Sequence, residues 1–264
     1  MKRLAQRVLR RAGLDLRRGT PWLDAQASSL RAGWDASELM ANRHRQPDEL
    51  HYSAPPAAED KRLKYIAYFV DVRGWRVLEL GPRTGHHTVL LDKMGAREIV
   101  GVEGRQENVD LCNRTRDLYG LPATYVRQDV ERLASGEEEP LYAPGFDLVF
   151  SLGVLYHLTD PAPVLQWGRT QAPRLFLGTH YYERRAKGWY KPPAFTPTRY
   201  QGEDAMRFRE RGLDDPHGGM QPSSTWLTEE HLVRLLHEAG YARVDVLGLD
   251  VAFGHPHITI LASA

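Results

Sequence analysis

Four places in this chain set a glycine, a carboxylate or an imidazole just beyond a short apolar run, where a fold can aim it at a ligand. The first is VLELGPRTGHHT, residues 77–88, in which Gly81 and Gly85 follow the run. Gly81 lets the chain turn sharply away, and Gly85 lets the backbone come close to a ligand and to the next element. A pyrophosphate needs several close backbone N–H groups, the G-x-G-x-x-G pattern. Here the pattern is G-x-x-x-G, and Pro82 removes one donor outright. The loop suits a ligand with one nucleoside and no phosphate. Next, EIVGVE ends in Glu103, a carboxylate placed to accept from two ribose hydroxyls. ATYVRQ leads to Gln128-Asp129, where a side chain can read an adenine amino group. Last, FDLVFSLG runs into Tyr156-His157, whose imidazole is either a base or substrate contact, or a satisfied structural histidine.

These positions need a scaffold that gathers strand ends along one edge. From Ala57 the pattern is an amphipathic helix with Leu63, Ile66, Ala67 and Val70 on one side. Strand patterns at 75–80, 98–103, 123–128, 146–151 and 174–180 then alternate with helices at 86–94, 106–118 and 161–169. The strands are rich in Val, Leu and Ile and apolar on both faces, as central parallel strands are. Thr228 caps TEEHLVRLLHEAG, and strands at 241–249 and 257–263 complete a sheet of seven. The alternation predicts an α/β, Rossmann-like, doubly wound sheet with helices on both faces. Residues 180–226 break the rhythm, with only a short helix expected around Glu203 to Arg211. A structureless stretch this long is unusual unless functional or disordered, and its aromatic residues argue against disorder. It reads as a substrate lid inserted before the last two strands.

The 264 residues suffice for one large domain, and 42% hydrophobic with 26% charged content is ordinary for a globular protein. A formal charge of +1 argues against a surface built throughout for nucleic acid. Cys112 stands alone, which excludes an internal disulfide and suits the cytoplasm. No run approaches the ~20 apolar residues of a membrane span. Residues 1–56 read as an N-terminal helical extension to a domain at 57–264. Within it, Thr20-Pro21 opens a helix near 21–31. Residues 1–18 carry Lys2, Arg3, Arg7, Arg10, Arg11, Arg17 and Arg18 against Asp15, around one apolar stripe. Such a helix lies on an anionic membrane surface, on RNA phosphates, or on its own domain.

In order and spacing, the loop from Glu79, the acidic strand end at Glu103, the Asp129 position and FDLVFSLGVLYHL resemble the class I S-adenosylmethionine-dependent methyltransferases over residues 57–264. GVLYHLTDP resembles the group that includes the tRNA wobble-uridine carboxymethyltransferases and many small-molecule methyltransferases. The resemblance implies S-adenosylmethionine as cofactor. Glu79, Gly81 and Gly85 would shape the methionine pocket, Glu103 would hold the ribose and Asp129 the adenine amino group. Ser151, Leu152 and Gly153 would pass beside the sulfonium. Arg83 replaces the middle glycine of the usual E-x-G-x-G-x-G loop. With an ordinary backbone its guanidinium would pair with the methionine carboxylate; otherwise it faces solvent.

His157, with Tyr156, is the leading catalytic candidate. His87, His180, Tyr181, Trp189, Tyr200, His217 and Trp226 are the candidate substrate contacts. For His86 and His87 packing at a helix start is the favoured reading over acceptor contact, and His51-Tyr52 is a further candidate near the methionine moiety. Asp214, Asp215 and His217 fit either a magnesium site or an ordinary turn with Pro216 and Gly218-Gly219, and no metal is assigned. The leading expectation is methyl transfer to a small-molecule or glycan-like acceptor, at oxygen. The alternative is a tRNA-modifying methyl- or carboxymethyltransferase, favoured by GVLYHLTDP and the basic N-terminus. A nicotinamide-dependent oxidoreductase is disfavoured by the missing third glycine, and a non-catalytic cofactor-binding scaffold by the intact set of strand-end residues. A cytoplasmic location is expected, with peripheral membrane contact through residues 1–18 left open.

Overall fold

The computed structural model describes residues 61–212, 215, 217–252 and 254–264. The basic N-terminal segment, the helix at 21–31, His51-Tyr52 and Asp214 lie outside the described residues.

The apolar runs become strands β1 (Arg76–Leu80), β2 (Glu98–Glu103), β3 (Ala123–Arg127), β4 (Leu148–Leu152) and β5 (Arg174–His180), all parallel. Strands β9 (Arg243–Ala252) and β10 (His255–Ser263) follow an insertion. β10 pairs antiparallel with both β5 and β9, and the sheet order is β3-β2-β1-β4-β5-β10-β9. The winding reverses between β1 and β4, which opens a crevice at their carboxyl ends.

Helices α1 (Lys61–Phe69), α2 (His86–Lys93), α3 (Gln106–Tyr119), α4 (Val130–Ser135), α5 (Pro161–Gln171) and α6 (Glu229–Glu238) cover the sheet. Successive strand residues point to opposite faces, so two cores form. Val77, Ile99, Leu148 and Phe176 pack with Ile66 of α1 and with α2 and α3. Leu78, Val100, Val149 and Leu177 pack with α5 and α6. Asp129 starts α4, a helix the sequence pattern does not announce, by accepting from Glu131 N–H at 2.9 Å. Thr228 caps α6 through His231 N–H, as expected.

The insertion differs from the expectation of a long irregular lid. It contains an antiparallel sheet of β6 (Phe195–Tyr200), β7 (Glu203–Arg209) and β8 (Ser223–Leu227). The expected short helix at 203–211 is therefore strand β7. The reason lies in Gln201 and Gly202, which both take positive φ (47° and 83°) and close a two-residue hairpin pairing Tyr200 with Glu203. Pro197, unable to donate to a ladder, sits in edge strand β6. Tyr190, Phe195, Met206 and Trp226 form a small core of their own. Trp226 stacks on His180 at 5.0 Å, which fastens the insertion to the end of β5.

Candidate active site

A pocket of about 1070 Å³, including its open mouth, lies at the carboxyl ends of β1, β2 and β4. Gly81 lines it with φ 62°, and a Cβ there would meet Val154 Cγ2 at 2.5 Å. Conformation and close approach both require glycine. Glu103 is buried in the wall; it accepts from Arg83 N–H (3.2 Å), Arg105 N–H (3.1 Å) and Asn108 Nδ2 (3.2 Å). A carboxylate offers about four acceptor sites, so capacity remains for a ligand hydroxyl. Asp129 also lines the pocket, whereas the Gln128 amide is tied to Glu139 O and Leu141 N.

Arg83 lines the pocket, but its backbone is not ordinary. Its φ is 55°, the left-handed region, so the condition attached to the carboxylate role is not met. The guanidinium reaches across the mouth and hydrogen-bonds His217 Nε2. Burial lowers its pKa, against the pull of Glu103 and Asp215.

Beneath the loop, Glu79 is 1% exposed. Its Oε2 accepts from the Thr88 hydroxyl at 2.5 Å, while Oε1 has no hydrogen-bond partner and stands 3.9 Å from His87 Nδ1. Burial pushes this carboxyl up to about 8 despite the Thr88 bond, and the charge of Glu103 adds to the rise.

On the opposite wall, a short 3-10 turn, Leu155–His157, follows β4. His157 lines the pocket, and its Nδ1 stands 3.1 Å from both oxygens of Glu210. The Glu210 side chain is 1% exposed and also accepts from Gly219 N–H (2.8 Å) and the Ser224 hydroxyl (2.6 Å). Burial would raise its carboxyl, but His157, Gly219 and Ser224 outweigh that and hold it below the usual range. An ionised carboxylate only accepts, which assigns the proton to Nδ1 and leaves Nε2 as the basic nitrogen. Tyr156 also lines the pocket, its ring 4.2 Å from that of His157.

The pocket gathers Gly81, Arg83, Glu103, Asp129, Leu152, Gly153, Tyr156, His157, His87 and His217, with His86 beside His87. Glu79, Gly85 and Ser151 stand behind the wall rather than in it. Five candidate substrate contacts are elsewhere. His180 and Trp226 are buried against each other, and the indole N–H donates to Tyr156 O at 3.0 Å. Tyr181 is buried in the main core, and Tyr200 bonds Asp160 and Ala162 N–H. Trp189 is 42% exposed and away from the pocket. Aromatic content marked the insertion's own core. The sequence pattern carries no signal for Glu210, Arg105 or Met220, and marks Gly219 only as part of a turn. Among the described residues no three His, Cys, Asp or Glu side chains converge as a metal site, and Asp215 and His217 sit in a turn closed by Gly218 N–H to Asp215 O.

The strand order and this pocket define a Rossmann-like, nucleoside-binding α/β enzyme. A family model described as a methyltransferase domain matches residues 36–246, and the chain belongs to that family. It carries a methyltransferase domain of the class that uses S-adenosylmethionine. The tRNA U34 carboxymethyltransferase of Pseudomonas aeruginosa (strain LESB58) is 34% identical over 105 residues, 39% of this chain and 30% of that protein. The ubiquinone biosynthesis O-methyltransferase of Nitrosococcus oceani is 28% identical over 170 residues, 62% of this chain and 66% of that protein. The matched part thus spans under a third of the tRNA relative's length. Among solved structures, the N-terminal domain of EvdMO1, crystallised in the presence of SAH and D-fucose, superposes with TM-score 0.63 at 21% identity, covering 91% of this chain and 96% of that one.

The residues present fit the cofactor. Glu103 has acceptor capacity for ribose, and Asp129 stands at the next strand end.

Proposed function

We propose that the chain methylates a hydroxyl of a small or glycan-like acceptor, with His157 as general base. The observation that carries this is His157 in the pocket wall with Nδ1 on the buried Glu210 carboxylate. An alcohol must lose its proton as its oxygen bonds to carbon, and a nitrogen held in one tautomer can receive it. Bound S-adenosylmethionine supplies an electrophilic methyl on a sulfonium, whose sulfur leaves with the bond pair as a neutral thioether. His157 Nε2 takes the hydroxyl proton, and Glu210 stabilises the resulting imidazolium. Holding acceptor and donor together in one pocket would remove much of the entropic barrier.

The Nitrosococcus relative supports oxygen as the accepting atom, and the D-fucose present with the EvdMO1 domain supports a sugar-like acceptor. The tRNA reading has the 105-residue match in its favour. The near-neutral charge opposes it.

The test is transfer of radiolabelled methyl from S-adenosylmethionine to D-fucose, other hexoses, phenols and bulk tRNA. Turnover is expected on a hydroxyl compound and not on tRNA. His157→Gln should lower that turnover about 10²–10⁴-fold, the usual contribution of a general base. Methylation of tRNA alone would overturn the proposal.

A further inference from the structure

Gly219 is a glycine without a glycine's backbone. Its φ lies outside the left-handed region, so its conformation is open to any residue. What requires glycine is proximity. A Cβ here would lie 2.5 Å from the His157 carbonyl oxygen and 3.1 Å from Glu210 Cδ. Both of its backbone groups are also held. The N–H donates to Glu210 at 2.8 Å, and the carbonyl accepts from Arg105 Nη2 at 3.1 Å. Next to it, Met220 rests its thioether on Gly104, where a Cβ would come within 2.8 Å of the sulfur. Gly104 and Arg105 directly follow Glu103, and the Arg105 N–H bonds that carboxylate. The strap His217–Met220 thus runs from the acid of the nucleoside pocket to the carboxylate that holds the base, and all four residues line the pocket.

We propose that Gly219 is a positioning residue: it seats this strap over the nucleoside half of the pocket, and the seated strap, through Glu210, holds His157 in one tautomer. Glu210 collects donors from three separate segments: the turn after β4 through His157, the strap through Gly219, and β8 through Ser224. A buried carboxylate keeps its orientation only while such donors surround it. Withdrawing the Gly219 N–H lets Glu210 rotate or hydrate, and Nδ1 then loses its fixed acceptor. Seating of the strap rests on this geometry alone; its catalytic consequence rests on the reading of His157 as base.

The experiment uses the full chain and S-adenosylhomocysteine as probe, with affinity read by calorimetry and the His157 ring nitrogens by 15N NMR. The His157 signals are assigned by their loss in His157→Gln. Gly219→Ala drives a methyl against the His157 carbonyl, and should weaken the probe at least tenfold. It should also move His157 from the Nδ1-protonated form toward a mixture of tautomers. Met220→Ala removes the packing on Gly104 without a clash and should shift both readouts the same way by less, and it decides the matter if Gly219→Ala fails to fold. Unchanged probe affinity, or an unmoved His157 tautomer, in both variants overturns the proposal. The two readings fail separately. Loss of tight binding in Gly219→Ala with full turnover in His157→Gln removes the base and its arming, and unchanged affinity removes the strap while the base stands.

Discussion

Arg83 shows how much a single residue can hide. Its place in the glycine loop is plain from the sequence, but its left-handed backbone is not, and a long side chain there costs about 1–3 kcal/mol. Its guanidinium spans the pocket to His217 on the strap. Alanine would keep the strain, so Arg83→Gly is the cleaner probe: it suits the left-handed backbone while removing the side chain. Relief of strain and the extra freedom of glycine in the unfolded chain oppose each other, so stability should change by less than about 1 kcal/mol. Because the guanidinium holds the strap, S-adenosylhomocysteine and adenosine should both weaken by the same factor in calorimetry. A loss confined to S-adenosylhomocysteine would show instead that Arg83 binds the methionine carboxylate. Glu210 was hidden for another reason. Its partner His157 lies 53 positions away, and no local spacing joins them.

At the level of elements, the strands that carry Gly81, Glu103, Asp129 and Gly153 were legible because each is an apolar run ended by a turn residue. The insertion was not. EDAMRFR in β7 alternates poorly, with Ala205 and Met206 both buried, and only the Gln201-Gly202 turn points to a hairpin. The six residues of α4 are too few for a helical period to show. The aromatic residues of the insertion prove to be its attachment. Trp226 stacks on His180 and donates to Tyr156 O, so β8 braces the turn that presents Tyr156 and His157. Trp226→Phe keeps an aromatic ring but loses the indole N–H hydrogen bond and part of the packed volume, which should cost about 1–3 kcal/mol in urea unfolding. Trp226→Ala also empties a packed volume and should cost about 3–5 kcal/mol. Equal effects of the two would mean that the ring packing contributes little.

Across the whole molecule, charge separates the two acceptor classes better than any motif. The chain carries 35 Lys and Arg against 34 Asp and Glu, and the N-terminal 18 residues hold seven of those cations against one acid. A protein that neutralises many phosphates loses affinity steeply with salt, because each contact releases counterions. With its cations so nearly balanced, this chain lacks the surplus for that. The expected result is weak tRNA retention in filter binding between 50 and 200 mM salt, on the order of micromolar or poorer. Removing residues 1–18 should leave small-acceptor turnover intact. If the segment rests on an anionic membrane, its removal should abolish sedimentation with anionic vesicles while that turnover persists. If it packs on its own domain, neither binding changes and the melting temperature falls. Submicromolar, steeply salt-dependent tRNA binding that vanishes with the segment would refute the small-acceptor reading and make the wobble-uridine class the better one.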